Sequence, residues 1–420
     1  MHLLVAIVVA AILNLLILVL LHKRYDSQLF RVVTFAYVGT VLLRYTLALF
    51  MWLNHGPGHF SDALWGDSDT YDGFGAALAN SWSHGSAITS WTATVEGKVN
   101  RGFIYFVAAV YYVFGRNVIL VQFLNGIIGA LTPIVILELG LILYDRRVAS
   151  TAMLLTAFFP QMIFWSAALY KDPVIMLAIA TNILAVLRLR TRVSALWVTL
   201  YLATAASLVF LRFYIFYALV VATVAGLLIR HRRGMALGFG AQATVVVGLI
   251  VLFVYTPVGQ EVLANSRFLD LQLLNASRSD LARAGTGYGA DADVSTLGGI
   301  LTVLPLGVAH LLFAPFPWTM VNLRQALALP DVLMWYALVP ALIRGLFAAH
   351  NRLRDLMPVL VFTTALTLAY GAFLGNSGTA YRQRTQVMMF YFLFVADGIH
   401  RKRAHRTAPP DPEYGPERSL

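Results

Sequence analysis

The chain has 420 residues, of which 59% are hydrophobic and only 12% charged, with no cysteine and a formal charge of +11. Soluble domains carry about twice that charged fraction, so a soluble globular protein is excluded and a polytopic membrane protein is expected. The missing cysteine excludes disulfides, thiolate metal sites and thiol nucleophiles, and a basic balance scattered between apolar runs reads as loop charge, not as a nucleic-acid surface.

Residues 1–21 lack a basic leading segment, and Lys23 and Arg24 follow the apolar run, which predicts an uncleaved anchor with its N-terminus outside. Apolar runs long enough to cross about 30 Å of hydrocarbon occupy 3–21, 29–53, 118–144, 148–169, 173–189, 193–211, 214–229, 235–256, 334–349, 356–375 and 386–400. The expected fold is therefore all-α with about eleven transmembrane helices. Two further apolar stretches, 102–115 and 297–316, are read as interfacial or re-entrant. Only then do the basic clusters around Arg24, Arg146, Arg190, Arg232, Arg352 and Arg401 fall on one side, which the positive-inside rule makes cytoplasmic. The excess charge then faces anionic lipid.

The chain divides accordingly. Two spans (1–53) precede an acidic outer loop with an interfacial helix (54–117), and spans three to eight follow (118–256). A segment with a mobile Gly-, Ala-, Ser- and Asp-rich loop and a re-entrant stretch (257–333) leads to three last spans (334–400) and a cytoplasmic tail (401–420).

Three outer clusters hold charge that span packing does not explain. In "WGDSDTYDGFG", Asp67, Asp69, Tyr71 and Asp72 follow the second span, and carboxylates this close raise one another's pKa or gather a cation; a solvated, helix-capping loop is the plain alternative. Glu96 lies in the same outer segment. "SAALYKDPVIM" sets Lys171 and Asp172 at a turn between spans, where a charge pair faces a polar cavity or the interface, unless Asp172 before Pro173 simply starts a helix. "GNSGTAYRQRT" puts Arg382 and Arg384 before the last span; guanidinium groups bind phosphate bidentately, with interfacial snorkelling as the alternative. Arg44 within a span and Arg212 at a turn are weaker signals, and the Gly and Pro between His55 and His59 spoil helical metal-ligand spacing. "APFPW", 314–318, demands irregular backbone that is protein-buried or lines a cavity.

The stretch 66–190 resembles the N-terminal module of the GT-C superfamily, integral-membrane glycosyltransferases that use polyprenyl-phosphate-linked sugars, in particular the protein O-mannosyltransferase and aminoarabinose transferase branch. The likeness rests on Asp67 four residues before Tyr71 in "GDSDTY", on the short helix "GFIYFVAAVYYVFG", on the basic turn "DRRVA", on the Pro-containing "LLTAFFPQMIFWSAALY" and on "LYKDP" with Asp172. A Pro-Pro or Tyr-Pro pair usual before the short helix is replaced by "VNRGFIY".

The resemblance implies transfer of a sugar from a polyprenyl-phosphate carrier to a hydroxyl of a glycan, lipid or protein, on the outer face of a bacterial plasma membrane. On that reading Asp67 is the general base, with Asp69 beside it, and Asp172 orients the acceptor or assists the base; Arg382 and Arg384, with Lys171, bind the departing phosphate. Tyr71 and Glu96 are further candidates. The residues name no cofactor and leave open a divalent cation shared by Asp67 and Asp69. Two rivals stand beside this reading. A lipid-linked polysaccharide polymerase or ligase has no need of an acidic first loop, and a transporter or flippase of lipid-linked glycans would show midplane charges, broken helices and internal repeats.

Overall fold

A computed structural model describes residues 1–54, 67–84, 100–228, 254–320 and 326–407, together with 247, 250 and 251. Helices α1 (His2–Arg24) and α2 (Ser27–Leu53) open the chain. The best window of α1 has a mean hydropathy of 3.3 and is only 11% buried, with Leu4, Ile12 and Leu15 exposed: it is apolar all round, as a helix facing lipid must be. Asp26 starts α2 by accepting from the N–H groups of Gln28 and Leu29.

The acidic segment folds as α3 (Ser68–His84), whose buried Tyr71, Gly75, Leu78 and Ala79 recur at helical spacing and pack on α4 (Gly102–Phe114). Gly75 sets the closeness of that contact, since a Cβ there would lie 2.5 Å from Val107 Cγ1. After α5 (Val118–Leu143), α6 (Arg146–Phe158) and α7 (Pro160–Ala167) form one apolar run bent by 50°. Pro160 causes the bend, because it lacks an N–H and drives Phe159 into the extended region.

Helix α8 (Asp172–Leu189) is the central rod, 78% buried in its apolar window. Helix α9 (Ala195–Leu228) is two rods, broken at Arg212 with φ −164° and ψ 80°. Tyr201 before the break and Leu227 after it share one buried cluster, so the chain doubles back there. Three shorter helices follow, α10 (Pro257–Ser266), α11 (Leu271–Ala282) and α12 (Leu297–Phe313). A 3-10 turn at His350–Arg352 joins α13 (Leu329–Ala349) to α14 (Leu353–Phe373), and the short α15 (Ser377–Gln383) leads into α16 (Thr385–Thr407).

Among the described residues, six helical runs are long and apolar enough to cross a membrane, or seven if the bent pair is one span; α9 and the α13–α14 run each comprise two rods. The protein is thus an all-α polytopic membrane protein. The expected span 235–256 lies almost wholly outside the described residues, and each of the others falls on a described helix or half of one. Helices α4 and α12, in the two stretches read as non-crossing, are among the shorter apolar helices.

The ends of the rods sort into two sets. At one, Arg24 and Arg188 share Glu138 at 3.0 and 2.9 Å, Arg146 meets Asp26 at 2.7 Å, and Arg190 donates to the carbonyl of Arg354 at 2.7 Å. This is the basic end. At the other, the starts of α3 and α8, the break in α9 and the whole of α15 come together around a cavity.

Candidate functional site

The cavity measures about 870 Å³. One wall is apolar, from Leu43 and Leu47 of α2 and Phe158 and Phe164 of the bent α6–α7 pair; another is charged, with Asp67, Lys171, Arg212 and Arg382. The bend at Pro160 positions this second wall, since it turns α7 so that Trp165, Tyr170 and Lys171 line the opening. Asp172 follows as the first residue of α8, with Pro173 next to it and its carboxylate at the positive end of the helix dipole.

Arg382, on α15, is the hub. Its Nε donates to Asp172 Oδ2 and its Nη1 to Asp67 Oδ2, both at 2.7 Å. Its guanidinium lies 4.2 Å from the Tyr170 ring centroid and 5.4 Å from that of Trp165, close enough for cation–π attraction. The two carboxylates differ sharply in access: the Asp172 side chain is wholly buried, whereas that of Asp67 is 60% exposed. Tyr71, one helical turn on from Asp67, has its phenol raised to about 12 by burial, so it stays protonated. Lys171 is lowered to about 7, by burial first and then by Arg212, and makes no ion pair among the described residues.

Of the residues singled out in the sequence, Asp67, Tyr71, Lys171, Asp172 and Arg382 meet here. Asp69 lies on the exposed face of α3. Asp72 faces α4, accepting from Tyr111 at 2.7 Å and from Arg116 Nη2 at 2.5 Å, and so holds the two helices together. Glu96, His55 and His59 lie outside the described residues. No group of three or more His, Asp or Glu that could hold a metal ion occurs among the described residues.

The clamp of Arg382 with Arg384 is not formed. Arg384 is fully buried away from the cavity, with Nη2 2.7 Å from Asp331 Oδ2 and Nε 3.1 Å from Gln161 Oε1. Its Nη1 donates to the carbonyls of Leu312 at 3.1 Å and Ala314 at 3.0 Å. Asp331 in turn accepts from the Gln161 N–H at 3.2 Å, a donor freed by the helix bend. The Arg384–Asp331 pair therefore joins α7, α12 and α13 and satisfies backbone groups left open at helix ends. The physical reason for the separation is helical geometry: residues two apart point to nearly opposite sides.

Sequence reasoning underweighted Arg212 and passed over Trp165 and Tyr170. For Arg212 a signal existed, a lone arginine between two apolar runs, as at Lys171 and Asp172. For the aromatic residues there was none beyond their place beside "LYKDP".

No protein-family model matches the chain, and no curated protein matches it. Among solved structures the chain is similar to the oligosaccharyltransferase of Archaeoglobus fulgidus in its apo form, with 13% identity and a TM-score of 0.44. The match covers 89% of this chain and 52% of that one, so this chain spans about half the length of that protein.

Proposed function

We propose that the protein is a membrane glycosyltransferase that moves a sugar from a polyprenyl-phosphate carrier to a hydroxyl of a glycan, lipid or protein. The observation that carries this reading is the convergence of Asp67, Asp172, Lys171 and Arg382 at a cavity also lined by the apolar Leu43, Leu47, Phe158 and Phe164. A donor with an anionic head and an apolar chain matches both walls. Asp67, being exposed, takes the proton of the acceptor hydroxyl; the acceptor oxygen bonds to the anomeric carbon while that carbon's bond to the phosphate oxygen breaks. The electron pair leaves with the phosphate, whose charge the cavity cations stabilise. Asp172, buried and tied to Arg382, orients the site and takes no proton. The basic clusters at the opposite end support a cytoplasmic assignment for that end, and hence a cavity on the outer face of a bacterial plasma membrane.

The test is Asp67→Asn in membranes supplied with a labelled polyprenyl-phosphate sugar. Transfer is expected to fall by about 10² to 10⁴, the usual worth of a general base, with the yield of folded protein unchanged. Near wild-type transfer would sink the assignment. Product analysis separates the rivals: one sugar per acceptor supports the transferase, long chains built from lipid-linked repeats support a polymerase, and lipid movement without a new covalent bond supports a flippase.

A further inference from the structure

The cations of the cavity are not equivalent. Arg382 is engaged by both carboxylates, through Nε on Asp172 and Nη1 on Asp67. Arg212, at the break in α9, also lines the cavity and is only 6% exposed, yet its Nη1 has no hydrogen-bond partner. Its nearest carboxylate oxygen, Asp172 Oδ1, is 3.9 Å away, and that oxygen is itself unpartnered. Lys171 lines the same wall without an ion pair among the described residues. Three cations thus face two carboxylates, and each nitrogen of Arg382 lies within 2.7 Å of one of them, with Nη2 2.6 Å from Asp172 Oδ2, whereas Arg212 Nη1 is 3.9 Å from Asp172 Oδ1 and Lys171 makes no ion pair among the described residues. A buried guanidinium N–H without an acceptor is unfavourable, and the strongest partner for it is an oxyanion.

We propose that Arg212 and Lys171 receive the free oxygens of a lipid-linked phosphate, and that Arg382 is a positioning residue that holds Asp67 and Asp172 for it. The inference rests on the glycosyltransferase reading of this cavity and reassigns its parts. For Arg382 to turn a nitrogen onto the phosphate it would move it off a carboxylate oxygen within 2.7 Å; Arg212 and Lys171 have no carboxylate at hydrogen-bonding distance to leave. A phosphodiester also brings one negative charge, which matches the surplus of one cation. The backbone break at Arg212 lets its side chain turn into the cavity from between two spans, where a continuous helix would direct it along the rod.

The site is also proton-linked. The charged groups facing Lys171 are Arg212 from α9, Arg382 from α15, Asp172 from α8 and Asp67 at the start of α3, and Tyr71, Tyr170, Tyr381 and Asp331 are the other titratable groups of the cavity wall. With its ammonium held to about 7 in the empty cavity, Lys171 takes up a proton when an anion arrives. Affinity then falls as pH rises above 7, by up to about tenfold per pH unit for one linked proton.

The experiment measures binding of methyl decaprenyl phosphate, a phosphodiester that keeps one negative charge throughout, to the purified full chain in nanodiscs between pH 6 and 9, with phosphatidylglycerol and inorganic phosphate as competitors. Arg212→Gln and Lys171→Met are each expected to weaken binding by about tenfold or more at pH 6.5, and Lys171→Arg to bind without the fall above pH 7. Arg382→Lys is expected to lower kcat while leaving the donor KM within a few fold, the reverse of the split for Arg212→Gln. Competition by inorganic phosphate supports the cradle, whereas equal competition by phosphatidylglycerol overturns it in favour of a general lipid headgroup site. Wild-type affinity in a folded Arg212→Gln protein overturns the proposal; should that variant not fold, Arg212→Lys and Lys171→Met decide, and unchanged affinity in both has the same force. If the wild-type protein binds no methyl decaprenyl phosphate, the glycosyltransferase reading falls with it; if it binds and the variants do not matter, only this inference falls.

Discussion

Arg382 and Arg384 stand two residues apart, both are largely withdrawn from solvent, and each is 2.7 Å or less from a carboxylate oxygen. One borders a cavity and the other closes a joint. Arg384 has each of its three nitrogens on a neutral or charged acceptor from three different helices or their ends. Arg382 has a carboxylate on either side, an aromatic face beneath it and open volume in front. Burial and charge do not separate the two arginines; what does is the open volume in front of Arg382 and the closed set of acceptors around Arg384.

The largest effect expected from this contrast is on stability. Arg384→Met leaves Asp331 charged and buried and removes the donor from two carbonyls, which costs about 3–5 kcal/mol. The double variant Arg384→Met with Asp331→Leu recovers most of that loss, because a buried pair replaced by apolar groups is often neutral. Denaturant or thermal unfolding in detergent reads both, and a single variant as stable as wild type would erase the distinction. Arg382→Lys acts on the other side of it: an ammonium cannot fork between Asp67 and Asp172. A misplacement of about 1 Å at a reacting group costs about 10² in rate, so sugar transfer falls by about that much while the unfolding midpoint moves far less than for Arg384→Met.

Gly307→Ala tests how the joint is built. A Cβ at Gly307 would fall 1.7 Å from the Gly371 carbonyl oxygen, so α12 must move off α14, at about 1–3 kcal/mol. Since α12 delivers the carbonyls of Leu312 and Ala314 to Arg384, the joint loosens, whereas the bonds of Arg382 to Asp67 and Asp172 do not pass through α12. Crosslinking between cysteines placed on α12 and α14 is expected to slow in the variant, and an unchanged rate would mean the two helices are held elsewhere.

How much of this was legible in the sequence depends on the kind of signal. The rods were, since apolar length is a direct consequence of hydrocarbon thickness, and so was the break in the hairpin at Arg212, where two apolar runs meet at one charged residue. Asp67, Asp172 and Arg382 were picked out as charges that apolar packing does not explain, although their bonds span 315 and 210 residues of chain. Arg384 was misread because "RQR" was taken as two equivalent cations, when the helical turn there points them apart. The Arg384–Asp331–Gln161 joint was invisible for a different reason: it answers a backbone donor freed by Pro160, and which residue meets that donor is decided by tertiary packing alone.

The last prediction is the one most specific to the cavity. Lys171 titrates near 7 when folded and near 10.5 when unfolded, so below 7 both states hold the proton and the penalty of burying the charge is constant. Between 7 and 10.5 the unfolded chain binds more protons than the folded one, so this residue's contribution to stability improves as pH rises. Other lysines and tyrosines also titrate in that window, which makes the difference between Lys171→Met and wild type the useful quantity. The variant is expected to be the more stable protein at pH 6, with the gap in unfolding midpoint narrowing steadily towards pH 10. A Lys171→Met gap that stays flat over this range would mean that the ammonium is not confined by Arg212 and the buried wall, and that the charge surplus of the cavity is solvated instead.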